Sequence, residues 1–155
     1  MKNYTFLLLS LFLASCSTPS ETTTAAKSLE HYQSEAMKTL GLPFSDAVIV
    51  DDIIYLSGQI GNLPGTLDLA PGGLQAEAKQ AIENMKAILE ANGSSLDDVI
   101  KVTVMMADID EWGAFNQEYI KYFTAGKKPA RSAFGTSGLA LGARLEIECI
   151  ALKRK

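Results

Sequence analysis

The sequence predicts an α+β domain, one mixed sheet with two helices on one face, in the order β-β-α-β-α-β-β. Three observations predict it. Apolar, β-branched runs stand at both ends of the stretch from Ala47 to Lys153, two segments between them carry apolar residues at helical spacing, and the final strand has no cleanly polar face. That last feature leaves a semi-apolar sheet face without a helical layer, and a second subunit is its expected cover.

The first two strands lie in "AVIVDDIIYLSGQI", where the apolar runs meet at Asp51 and Asp52 in a tight hairpin. "GNLPGTLDLAPGG", from Gly61 to Gly73, is a loop by its proline and glycine content. Leu74, Ala78, Ala81, Ile82, Met85, Ile88 and Leu89 then recur at helical spacing, and Asn92 with Gly93 stops the helix. A strand follows in which Ile100, Val102, Val104 and Met106 alternate with Lys101 and Thr103. Asp108 or Asp110 caps a second helix, with Trp112, Phe115, Tyr119 and Tyr122 or Phe123 on its apolar side. Two strands close the chain, around Arg131–Thr136 and Arg144–Lys153. In the last one Leu145, Ile147, Cys149 and Ala151 alternate with Glu146, Glu148, Ile150 and Leu152.

Residues 1–40 stand apart from this domain, which is expected to begin at residue 41. "MKNYTFLLLSLFLASC" joins an early lysine to an apolar run from Phe6 to Ala14, the layout of a secretory signal and too short to span a bilayer. Its end, Leu13-Ala14-Ser15-Cys16, resembles the lipobox of bacterial lipoproteins. The resemblance implies removal of residues 1–15, lipidation of Cys16, and a lipid-anchored protein of the cell envelope, on the periplasmic side or the cell surface. Residues 16–40 then read as a flexible tether, rich in Ser, Thr and Ala, in which a short helix over 29–40 is of little consequence.

Composition removes several chemistries. The 155 residues suffice for one domain and a tail. With Cys16 committed to lipid, Cys149 alone builds neither a disulfide framework nor a zinc cluster. His31, the sole histidine, lies in the low-complexity stretch, which argues against Ser-His-Asp and Cys-His nucleophiles. The net charge of −4 becomes −5 when Lys2 leaves with the signal, a balance opposed to nucleic-acid binding. Catalysis falls to Arg, Glu, Ser, Asn, Tyr or backbone groups.

Several quoted stretches coincide with one known pattern. "SGQI" at Ser57–Ile60, "ENMKAILEANGSSLDDVIKVTV" from Glu83, "FNQEY" from Phe115, "PARSAF" from Pro129 and "LEIECIA" from Leu145 resemble the Rid family (YjgF/YER057c/UK114), whose best-known members are enamine/imine deaminases. The resemblance covers Leu42 to Lys153. It implies a chorismate-mutase-like fold, a homotrimer whose sheets form an inner barrel, active sites in the clefts between subunits, and no metal or organic cofactor.

On composition alone Arg131 is an exposed or ion-paired arginine, and Glu146 is the polar member of an alternating strand. The resemblance implies more. The planar fork of Arg131 would hold the carboxylate of a small 2-imino acid, and Glu146, with Glu148 as its rival two residues on, would position the attacking water and accept its proton. Ser57, Gly58 and Asn116 correspond to cleft residues, although by themselves Ser57 and Gly58 also suit a bulge and Asn116 a helix bridge. The backbone N–H of Ala133 is a candidate second carboxylate donor. Some members carry cysteine where Ala133 stands, so a thiol-dependent mechanism is excluded here. Phe44 stands where many deaminating members have tyrosine, keeping the ring and losing a hydroxyl.

The implied function is hydrolysis of reactive 2-imino or 2-enamino acids to 2-oxo acids and ammonia. The alternative is a non-catalytic trimeric module that binds small carboxylates at the cell envelope. The lost hydroxyl at Phe44 favours the alternative, and the presence of both Arg131 and Glu146 opposes it. Ribonuclease activity, attached to some family names, is opposed by the acidic charge and the lack of a basic aromatic patch.

Overall fold

A computed structural model describes residues 27–124 and 126–154. Cys16 and the signal sequence lie outside the described residues. The strands are β1 (Leu29–Tyr32), β2 (Ala47–Val50), β3 (Ile53–Ile60), β4 (Val99–Met106), β5 (Ala130–Gly135) and β6 (Leu145–Leu152), and the α-helices are α1 (Glu35–Leu40), α2 (Leu74–Ala91) and α3 (Trp112–Tyr119). The strands form one six-stranded sheet in the order β1-β2-β3-β6-β4-β5. Only β4 and β5 run parallel, so the sheet is mixed, as the sequence predicts.

Alternation along the strands separates the two faces. Leu145, Ile147, Cys149 and Ala151 of β6 are buried with Val102, Val104 and Met106 of β4 and Ile54 and Leu56 of β3. The α2 stripe covers them: its predicted apolar positions, from Leu74 to Leu89, are all buried, and Gly93 ends the helix in the left-handed region at φ 72°. Phe115, Tyr119 and Phe123 belong to the same core, with Arg131 of β5 over the Phe115 and Tyr119 rings. The opposite face bears Tyr55, Phe134 and Leu152, each exposed by 45–48%. Ile100 departs from the predicted alternation because a register shift between Val99 and Lys101 turns it outward.

The main correction concerns residues 29–40, expected to be tether. Leu29–Tyr32 pairs antiparallel with β2, and α1 follows, N-capped by the Ser34 hydroxyl and C-capped by Gly41 at φ 64°. The physical reason is the apolar "AVIV" strand, which would otherwise be an unpaired sheet edge. Two carboxylates fix the cover in place: Asp51 accepts from the Ser28 N–H at 2.8 Å and buried Asp46 from the Ser34 N–H at 2.6 Å. The ordered fold thus starts before residue 41.

Candidate active site

The ladder between β3 and β6 breaks between Leu56 and Gln59, so Ser57 and Gly58 form an irregularity opposite β6. Beyond it Ile60 pairs with Glu146. The Glu146 carboxylate lies directly over Gly58: a Cβ built on that glycine would stand 1.7 Å from Oε1 and 2.6 Å from the carboxyl carbon. Only glycine leaves room for the carboxylate there.

Glu146 is half-buried, and no hydrogen bond or ion pair reaches its carboxylate among the described residues. Burial raises its pKa above the ordinary carboxylate value, and the like charge of Glu148 raises it further. A carboxylate left uncommitted in this way is free to bind water and take its proton. Glu148 is exposed, so the structure distinguishes the two neighbours.

Glu146 and Gly58 sit on the wall of a cavity of about 560 Å³, with Phe44, Met37, Leu40 and Leu141 among its other lining residues. Ser57 does not line it. The Ser57 hydroxyl donates to the Ser45 carbonyl at 2.7 Å and its N–H to the Asp46 carbonyl at 2.9 Å, so this residue ties the irregular part of β3 to the loop carrying Phe44.

Arg131 occupies a different place. It pairs with Val102 on β4, which pairs with Cys149 on β6, so the three share the helix-covered face. Glu146 pairs with Met105 and therefore belongs to the opposite face. Within one chain the two principal residues do not converge.

The Arg131 guanidinium donates to Asn116 Oδ1 at 2.8 Å and lies 4.4 Å from the Tyr119 ring centroid and 4.6 Å from that of Trp112. No carboxylate among the described residues pairs with it. It borders a smaller cavity of about 240 Å³ with Asn116, Tyr119 and Lys128. Ala133 follows on the same strand face, partly buried against the core. Among the described residues the buried Tyr119 hydroxyl has no hydrogen-bond partner of good geometry; burial pushes its pKa up to about 12, and nearby Arg131 opposes the rise.

Of the residues singled out in the sequence, the structure places Glu146, Gly58 and Phe44 on one cavity and Arg131 and Asn116 on the other. Sequence reading missed the aromatic cradle and the apolar wall. The cradle had a signal, because Trp112, Phe115, Asn116 and Tyr119 recur at helical spacing and so share one side of α3. The wall residues Met37 and Leu40 had none, lying in a stretch read as tether. Among the described residues no cluster of three His, Cys, Asp or Glu is arranged to hold a metal, and no helix is long and apolar enough to cross a membrane.

An uncommitted carboxylate and an arginine without an acidic partner, carried by one α+β sheet, suit chemistry on small carboxylates. Residues 33–153 match the family described as Endoribonuclease L-PSP, and the chain belongs to that family, the Rid or YjgF/UK114 group. It is 47% identical over 110 residues to the rat protein named 2-iminobutanoate/2-iminopropanoate deaminase, an alignment covering 71% of this chain and 80% of the relative. Protein HMF1 of Saccharomyces cerevisiae is 42% identical over 120 residues, 77% of this chain and 92% of its own length. Among solved structures, yeast YEO7 superposes with a TM-score of 0.75 at 38% identity, covering 82% of this chain and all of the other. Yeast Mmf1 gives 0.71 at 32% identity with the same coverage.

Proposed function

We propose that the protein is a cofactor-independent hydrolytic deaminase of 2-imino and 2-enamino acids, releasing 2-oxo acids and ammonia. The observation that carries this is the half-buried Glu146 carboxylate, unpaired and raised in pKa, over Gly58 on a cavity wall. Relatives at 45–47% identity named as imine deaminases support it.

Arg131 binds the substrate carboxylate as a bidentate fork, assisted by the Ala133 N–H, while Asn116, Trp112 and Tyr119 hold the guanidinium. Water hydrogen-bonded to Glu146 attacks the C=N carbon. The C–O bond forms as the π pair moves to nitrogen, and Glu146 accepts a proton from the water and delivers it to that nitrogen, giving the carbinolamine. Glu146 then takes the remaining hydroxyl proton and passes it to nitrogen as the C–N bond breaks, so that ammonia leaves and the carbonyl of the 2-oxo acid forms. Anchoring the carboxylate places the reacting carbon against the water.

Because Arg131 and Glu146 lie on opposite faces of one sheet, the complete site is built from two subunits of a homotrimer, each supplying one of them. The exposed Tyr55, Phe134 and Leu152 face supports such an assembly. The lipobox-like end at Cys16 supports lipid anchoring to the cell envelope, outside the cytoplasm.

The test is 2-oxo acid release from freshly generated 2-iminopropanoate by the full-length protein. Acceleration is expected, and Glu146→Gln and Arg131→Ala should each lower it by about a hundredfold or more. A folded parent that binds small carboxylates yet gives no acceleration would instead establish the non-catalytic binding module.

A further inference from the structure

Resting on the deaminase reading, we infer that the preferred substrates are 2-imino acids with large aliphatic side chains, and that Met37, Leu40 and Leu141 set this preference. The argument begins with size. Cavities of roughly 300–1,000 Å³ enclose drug-sized ligands, and of the 560 Å³ that one chain offers beside Glu146 to the substrate and the Arg131 edge of the next subunit, 2-iminopropanoate, whose side chain is one methyl, would fill little.

The chemistry of the wall decides what fills the remainder. Among the described residues no lysine or arginine of the same chain lines the cavity, and the Arg131 brought by the next subunit is taken by the first carboxylate, so a second carboxylate on the substrate would meet no counter-charge. Its polar side chains are largely committed elsewhere: Asp46 to the Ser34 N–H, Asn62 to the Thr66 carbonyl, Asn84 to the Ile60 and Asn62 carbonyls, and Gln59 to the Ser57 carbonyl. The remaining surface is supplied by apolar side chains, among them Met37 and Leu40 of α1, Leu42, Ile88 and Leu141. Such a wall gains by burying methylenes and offers nothing to a charged side chain.

Leu141 supplies an independent observation. It stands at φ 57°, a left-handed backbone conformation that non-glycine residues rarely adopt, and it is 54% exposed, so no core packing holds it there. It is among the residues that line the cavity containing Glu146. Backbone strain at a non-glycine residue beside a candidate active site points to a functional use for that side chain.

The experiment compares kcat/KM of the full-length protein for imines generated in situ by an amino-acid oxidase from alanine and from leucine. Each methylene buried is worth about fourfold, so the leucine-derived imine is expected to be favoured by about tenfold or more. Leu141→Gly, which suits the backbone at that position, should keep or raise the thermal midpoint and cut the leucine-to-alanine ratio by about threefold or more. Met37→Ser should cut the ratio as well. Equal or better hydrolysis of the alanine-derived imine by the parent overturns the inference and leaves the deaminase reading standing, as does a folded Leu141→Gly variant with an unchanged ratio. A folded parent that accelerates neither imine overturns both.

Discussion

Gly58 and Glu146 are one device made of two residues. A methyl at Gly58 would fall on the end of a flexible side chain and not on backbone, so Gly58→Ala should push the carboxylate aside without unfolding the strand. The expected result is a loss of about a hundredfold in kcat, with stability within about 1 kcal/mol of the parent by urea titration. On the proposed mechanism Glu146 also sets the pH dependence. Its pKa is raised, first by burial and then by Glu148, and the base form is the active one, so kcat/KM should fall with decreasing pH along a limb lying above 4.5. Glu148→Gln removes the like charge and should move that limb to lower pH, while burial keeps it above the ordinary carboxylate value. A limb that stays in place in this variant would mean another group titrates there. Glu146 was legible in the sequence through the "LEIECIA" pattern. Its contact with Gly58 was not, since that depends on a register break between strands that no local pattern encodes.

Elements behaved according to how much of their signal was apolar. The stripe of α2 and the alternation of β6 were readable because each buries one side continuously against the other. β1 was invisible: Leu29 is 65% exposed, and the strand exists to complete a backbone ladder, a requirement that belongs to β2. The cavity wall was lost with it, because α1 follows β1. The packing of β3 on α2 is set at Gly61, where an added Cβ would meet the Glu77 Cα at 2.5 Å, against backbone that cannot step aside. The Glu77 carboxylate at this contact accepts the Arg144 N–H at 2.8 Å, just before β6. Gly61→Ala should therefore destabilise the fold by about 1–3 kcal/mol in urea or thermal unfolding, in contrast to Gly58→Ala. The two glycines lie three residues apart and their substitutions should fail in different ways, one in activity and the other in folding.

At the scale of the whole molecule, on the proposed reading, one chain carries the parts of a site without assembling it. Arg131 faces α3 with Val102 and Cys149, whereas Glu146 shares the other face with Met105, and the sheet stands between them. That other face is a half-apolar surface without a helical layer, showing Tyr55, Phe134 and Leu152. Covering it with further copies of the chain explains both features, provided the Arg131 edge of one subunit reaches the Glu146 cavity of the next. The arrangement makes a prediction that a site within one chain cannot reproduce. Arg131→Ala and Glu146→Gln are each expected to be inactive, yet co-expressed and assembled at random in equal amounts they should recover about a quarter of the parental activity. At each subunit boundary the arginine then comes from a Glu146→Gln chain half of the time and the glutamate from an Arg131→Ala chain half of the time. Mixed oligomers confirmed by mass and still without imine hydrolysis would place both groups in one chain, and would require Arg131 to leave its cradle and cross the sheet edge to reach Glu146.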